Sequence, residues 1–256
     1  MMDSNRYVLE LAYNGTNYSG WQRQPNALSV EETIDTTLST ILGEKIKIVG
    51  CGRTDAGVHA SYYVAHFDFS GDFPAAFLRR FNRFVADDVV LLGLYRVAAE
   101  FHARFQASGR GYTYRLALHK DPFRPETVAS LPQFAGVDRK KIKAAADALF
   151  EYSDFAPFCK TNSDAFTMKC QLTEARWDFA EKEWTFHISA NRFLRGMVRL
   201  IVGMCLRVGE GKLSLEDLRQ AMDNQTRLPK PWSAPAAGLF LSEVEYPDKS
   251  AWDRLS

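Results

Sequence analysis

The sequence predicts an α+β protein built from two ferredoxin-like halves, each a β-α-β-β-α-β unit. Three observations lead there. Over the first hundred residues, alternating and helical hydrophobic periods succeed one another in that order. A similar order returns after residue 109, and EFHARFQAS at 100–108 reads as the linker between the two. The expected division is therefore 1–100 and 109–256. No residue-level repeat relates the halves, so the duplication rests on element order alone. Two such units are expected to set their sheets side by side around a central basic cleft, a common position for a ligand.

Each element has its own signal. RYVLELAY (6–13) alternates Tyr7, Leu9 and Leu11 against Val8, Glu10 and Ala12, a strand pattern that Asn14-Gly15 breaks. SVEETIDTTLSTILG starts with Ser29 and Glu32 in capping-box spacing. Val30, Ile34, Leu38, Ile41 and Leu42 then form one helical stripe that Gly43 ends. KIKIVG (45–50) and YVAHFDFS (63–70) read as strands, AAFLRRFNRFV (75–85) as a short helix and VVLLGLYRV (89–97) as the closing strand. In the second half, GYTYRLALH (111–119) is a strand and DRKKIKAAADALF (138–150) a helix capped by Asp138. MKCQLTEARWDFA (168–180) and EWTFHISA (183–190) form a hairpin around Glu181-Lys182. A helix from Asn191 to about Leu206 follows, then a shorter one opened by Ser214 and Asp217. The strand GLFLSEVEY (238–246) closes the chain.

The composition is that of a globular protein, with 46% hydrophobic and 25% charged residues in a chain of 256. No apolar run is long enough to span a membrane, and the start MMDSNRYVLELAYNG is too polar for a signal peptide. Cys51, Cys159, Cys170 and Cys205 form no CxxC pair, which fits free thiols in a reducing cytoplasm. The formal net charge is +1, so an anionic partner has to be met by a local basic surface.

Such surfaces are visible. Phe101 to Lys120 carries Arg104, Arg110 and Arg115 and no acid, interleaved with Phe105, Tyr112 and Tyr114. Ser189 to Val208 carries Arg192, Arg195, Arg199 and Arg207, also without an acid; on a helix, Arg192, Arg195 and Arg199 share one stripe. Arg79, Arg80 and Arg83 make a third cluster. A solvated helix face is the plain alternative, but arginine with aromatic neighbours suits RNA, whose phosphates pair and whose unstacked bases lie on rings. Arg79, Arg110, Arg192 and Arg195 are the candidate RNA contacts.

The segment GRTDAGVHA (52–60) is the candidate catalytic feature. It fails as a phosphate loop, because Val58 rather than lysine follows Gly57, and as a dinucleotide fingerprint, because Asp55 stands where a third glycine belongs. Cys51, Asp55, His59 and His66 are metal-ligand types without ligand spacing, so no metal site is assigned. Asp55 can be an ionised, reachable nucleophile or an Asx-type turn former, and the residues alone leave both open. A binding module such as the RNA-recognition motif, and a metal-dependent nuclease, are the rival classes.

GRTDAGVHA closely resembles the catalytic loop of the tRNA pseudouridine synthase A family. AYNGTNYSGWQRQ, FHARFQASGRGYTYR, NRFLRGMVRLIVG and APAAGLFL match it in the same order, from Ala12 to Leu241. Asn14 departs from the aspartate common there, and CKTNSDAFTMKC matches loosely. The resemblance implies a pseudouridine synthase fold and a cofactor-free homodimer that isomerises uridine in the anticodon stem-loop of tRNA. It also implies Asp55 as the catalytic aspartate, Tyr112 as the ring stacking on the target base and Arg199 as the carboxylate's cationic partner. Arg53 is implied to meet the flipped nucleotide or a nearby phosphate, and Leu239 to line the uracil pocket.

Overall fold

The computed structural model describes residues 5–160 and 166–256. In chain order the strands and α-helices of the first part are β1 (Asn5–Tyr13), α1 (Val30–Leu42), β2 (Val49–Gly50), β3 (His59–Phe69), α2 (Phe77–Phe84) and β4 (Val89–Val97). Then follow β5 (Gly109–Ala117), β6 (Ala129–Ser130), α3 (Arg139–Asp147), β7 (Leu172–Phe179), β8 (Glu183–Ala190), α4 (Met197–Gly209), α5 (Leu215–Asp223), β9 (Leu239–Glu245) and β10 (Asp253–Arg254). The chain divides into two compact units: Met1–Ser108 with Phe240–Ser256, and Gly109–Leu239. The architecture is mixed α+β.

In the first unit, β1 lies between β3 and β4 and is antiparallel to both. On the far edge of β3, β2 pairs antiparallel at Ala65 and His66, whereas β9 pairs parallel at His59 and Ala60. The helix caps follow their sequence signals. Ser29 accepts from the Glu32 N–H at the start of α1, and Gly43 ends it in a left-handed conformation. Glu32 does not close the box; its carboxylate pairs with Arg23 at 2.7 Å.

The strand expected over 45–50 shrinks to Val49–Gly50. Side chains of α1 take the backbone donors that a ladder would need: Ile46 N–H donates to Ser39 Oγ at 2.9 Å and Ile48 N–H to Asp35 Oδ1 at 2.9 Å. Burial pushes the Asp35 carboxyl up to about 6.

The alternation read in β1 predicts one wet face, yet residues 7–11 are all buried. The second face is covered by the chain's last segment, which groups with the first unit rather than with the second half as expected from the sequence. Glu10 on that face receives Tyr62 OH at 2.5 Å, Tyr95 OH at 2.8 Å and Lys249 Nζ at 2.7 Å. Burial would raise its carboxyl, but the Lys249 ammonium and the two hydroxyls outweigh it and hold the group low. A buried carboxylate with every partner in place is how this strand tolerates an acid at its centre.

The second unit places β8 between β5 and β7, antiparallel to each, with β6 parallel to β5. Of the thirteen residues of α4, only Arg199, Leu200 and Arg207 are not buried, so it is a core helix. At α5, Ser214 and Asp217 form the complete capping box that their spacing predicts.

Candidate active site

Asp55 lies in the connection from β2 to β3, and this connection is held by backbone bonds and by two buried tyrosines. The N–H of Cys51 donates to Val64 O at 2.8 Å, and Tyr63 OH donates to Gly52 O at 2.5 Å. Thr54 is buried, its Oγ1 sharing a 2.9 Å hydrogen bond with Tyr13 OH. Val58 N–H donates to Asp55 O at 3.1 Å and closes the turn. The turn is thus closed through the aspartate's backbone carbonyl.

A second segment, residues 15–21, cradles the loop from outside. Trp21 N–H donates to Thr54 O at 3.2 Å, and Gly57 N–H to Tyr18 O at 3.3 Å. Trp21 in turn stacks on Tyr63 with ring centroids 3.9 Å apart. The approach is close enough to demand glycine: a Cβ on Gly20, at φ 99°, would lie 2.5 Å from Thr54 O, and one on Gly15 only 2.0 Å from Val58 O. AYNGTNYSGWQRQ and GRTDAGVHA are therefore two sides of one contact. Asp55 emerges half-buried between buried Thr54 and a turn, while Arg53 of the same loop is exposed.

Asn14 explains its own departure. Its Oδ1 accepts from Thr16 N–H at 3.1 Å and from Thr16 Oγ1 at 2.6 Å, an Asx turn that aspartate makes equally well.

The residues considered as metal ligands have other work. His59 is fully buried; its Nδ1 accepts from Gly15 N–H at 3.0 Å and its ring stacks on Phe240 at 4.6 Å. His66 Nδ1 accepts from Ala103 N–H at 3.2 Å. His59, as a brace of the cradle, was missed as a functional residue by the sequence reading; only its place in the matched motif signalled it.

In the second unit, Tyr112 sits on β5 opposite Ile188, half-buried, with Phe193 edge-on at 5.1 Å. Arg110, two residues earlier, donates from Nη1 to Asn191 O at 3.2 Å. Arg199 on α4 donates from Nε to Ala234 O at 2.6 Å, and Ala234 N–H returns a bond to Arg199 O at 3.0 Å. The first bond orients the guanidinium, and the second ties the backbone at 234 to α4. Tyr114 OH holds the same 232–238 segment through Pro235 O at 3.0 Å, and that segment leads into buried Leu239. Tyr114 is a second brace that the sequence reading did not single out.

The arginine stripe expected on one long helix is corrected. The helix starts at Met197, not Asn191, because Gly196 takes φ 71° and a Cβ there would lie 2.7 Å from the Lys160 side chain. Arg192, half-buried, and Arg195, exposed, lie in the preceding loop, so only Arg199 of the three is helical. On α2, Arg79, Arg80 and Arg83 are exposed, with the Arg80 guanidinium 6.0 Å from the Phe84 ring centroid. Residues 161–165, within the loosely matching CKTNSDAFTMKC, lie outside the described residues. Among the described residues no helix is long and apolar enough to cross a membrane.

Comparison with known proteins sets the class first: residues 145–247 match the family model of the tRNA pseudouridine synthases. Over most of its length the chain is also similar to individual curated proteins. It is 45% identical to tRNA pseudouridine synthase A of Porphyromonas gingivalis over 247 residues, 94% of this chain and 97% of that one. The protein of the same name from Bacteroides fragilis is 42% identical, covering 97% and 99% of the two chains. That from Corynebacterium glutamicum is 36% identical, covering 94% and 89%. The chain belongs to the tRNA pseudouridine synthase A family.

Proposed function

We propose that the protein is an isomerase that converts uridine to pseudouridine in the anticodon stem-loop of tRNA, with Asp55 as the nucleophile. The observation that carries the reading is the braced loop: its turn is closed by backbone and its position is set by the 15–21 cradle, which together present Asp55 half-buried at a fixed place between β2 and β3. The base leaves C1′ through N1, turns, and rejoins through C5; the C5 proton departs and N1 gains one. No atom is oxidised, reduced or hydrolysed, so the stoichiometry calls for neither a cofactor nor a metal.

In this reading Tyr112 stacks on the target base, and Arg199 is the carboxylate's cationic partner. Arg53 meets the flipped nucleotide or its phosphate, and Leu239 lines the uracil pocket. Extruding the base costs a few kcal/mol, offset by stacking and by phosphate contacts from Arg79, Arg110, Arg192 and Arg195. Closing the pocket keeps the freed uracil from water. Two ferredoxin-like halves with their sheets side by side form the proposed basic cleft. A homodimer in the cytoplasm, one protomer gripping the tRNA body while the other supplies the cleft, completes the proposal.

The test is mass-spectrometric mapping of pseudouridine in unmodified tRNA incubated with purified protein and no added cofactor. Asp55→Asn is expected to lose activity by roughly 10³-fold or more while still binding tRNA. Its melting temperature should move by only about 2–4 °C, because the bond that closes the turn comes from Asp55 O and is kept in the variant. Retained activity in that variant defeats the nucleophile assignment; lost folding returns Asp55 to a structural role.

A further inference from the structure

The stretch expected as a linker, residues 100–108, is instead a compact loop fastened to the first unit. From the core side, Ala103 N–H donates to His66 Nδ1 at 3.2 Å, and Ala103 O accepts Tyr246 OH at 2.5 Å. Phe101 O accepts Arg6 Nη1 at 2.8 Å, and Ser108 N–H donates to Glu245 O at 2.9 Å. Within the loop, Gln106 N–H donates to His102 O at 3.0 Å, His102 N–H to Gln106 Oε1 at 3.2 Å, and Arg104 N–H to His102 Nδ1 at 3.2 Å. Phe101 and Ala103 are buried.

What this fastening holds outward is Phe105, which is 76% exposed. Its ring rests on the His102 ring, centroids 4.3 Å apart and planes 35° apart, and His102 leans on His66 at 4.9 Å. The Arg104 guanidinium lies 5.7 Å from the Phe105 centroid. Single exposed apolar side chains are ordinary and need no account. This one differs in being presented by a loop with buried anchors, backed by a second ring, beside an arginine, and inside a run from Phe101 to Lys120 that contains no acid.

We infer that Phe105 is a stacking platform for an unpaired nucleobase of the tRNA substrate, with Arg104 facing the adjoining backbone phosphate. The ring already rests on His102, so less side-chain entropy is lost when a base settles on it than for a ring without such backing. Arginine beside an aromatic face is the pairing that single-stranded RNA uses. The base is not the one delivered to Asp55. His66, which anchors the loop, lies seven residues along β3 from His59, roughly 23 Å of strand. Phe105 therefore reads a second, distant position on the RNA. This inference rests on tRNA being the substrate.

The experiment compares Phe105→Ala, Phe105→Leu and Phe105→Tyr for equilibrium tRNA binding, steady-state pseudouridine formation and sedimentation of the free protein. Alanine and leucine should each weaken tRNA binding roughly 5- to 100-fold and raise KM with kcat unchanged, whereas tyrosine should stay within about twofold of wild type. Phe105 is exposed, so melting temperatures should be unaffected. Wild-type affinity in the alanine variant, or in the leucine variant, overturns the platform. So does a changed oligomeric state with unchanged tRNA affinity, which would make the ring a protein contact. A wild-type protein that makes no pseudouridine at all defeats the substrate reading, a result distinct from any of these.

Discussion

Two loops of the first unit each hold a side chain outward, by opposite means. The Asp55 loop is fixed mostly by main chain against main chain, through Trp21 to Thr54 and Gly57 to Tyr18, with Tyr63 and Tyr13 adding one side-chain bond each, and glycine at 15 and 20 lets the strands of chain come that close. The Phe105 loop is fixed by side chains rising from the core: His66, Tyr246 and Arg6 each take one of its backbone groups. The first arrangement ties the loop through bonds on both of its sides, as a positioned reacting carboxylate requires. The second depends on the protonation and hydrogen bonding of distant residues, which is enough for a contact that only has to present a face.

The comparison is most sharply tested at Gly20. Gly20→Ala should destabilise the fold by about 3 kcal/mol or more, since φ 99° and the 2.5 Å approach to Thr54 O both oppose a side chain. Surviving folded protein should lose roughly 10²-fold in kcat as Asp55 shifts. Denaturant titration and single-turnover kinetics read the two effects; a stable, active variant would show that the cradle is dispensable.

Next in size is the pH response of the second loop. Burial, followed by the Arg6 charge, lowers His66 to about 4 from its ordinary 6.5. Between those values the unfolded chain holds the extra proton, so stability falls as pH drops through the 6.5-to-4 window, by on the order of 2 kcal/mol. Asp35, raised to about 6, runs the other way and gains stability as pH falls below that value. Denaturation of wild type and His66→Gln at pH 6.5 and 4.5 should show the variant losing less over the interval; equal losses would reject the assignment.

Tyr246→Phe leaves Ala103 O without its donor and should cost about 1–3 kcal/mol, with kcat on saturating tRNA unchanged because the Asp55 loop is fastened elsewhere. A fall in kcat would show that the two loops are coupled. The smallest effect belongs to Asn14→Asp, expected within about 0.5 kcal/mol of wild type, because the Asx turn to Thr16 needs only an acceptor oxygen. A large change in its melting temperature would contradict that turn.

The first loop was legible in the sequence and the second was not. Glycines at 15, 20, 52 and 57 bracket tight turns and close approaches of backbone, and those at 15 and 20 are the crowded ones, so the motif containing Asp55 stood out before any coordinates. His66, Tyr246 and Arg6 are scattered over 240 positions of the chain with no pattern between them. The same division holds for the arginines. Their clustering was readable, but the left-handed turn at Gly196 that removes Arg192 and Arg195 from α4 was not; it goes with a backbone bond from Lys160 N–H to Arg195 O at 3.0 Å, a partner thirty-five residues away.

By itself the sequence determined what short-range physics controls: the presence of strands β1, β4 and β8, the caps at Ser29, Gly43 and Ser214, and the turn chemistry around Asp55. Those depend on neighbours within a few residues, whose geometry is the same in any fold. Only the tertiary structure decided that Glu10 is buried, that residues 46 and 48 bond to α1 instead of a strand, and that the last segment returns to the first unit. Each of those outcomes satisfies a buried polar group with a partner far away in sequence, and such a partner exists only once the chain has closed upon itself.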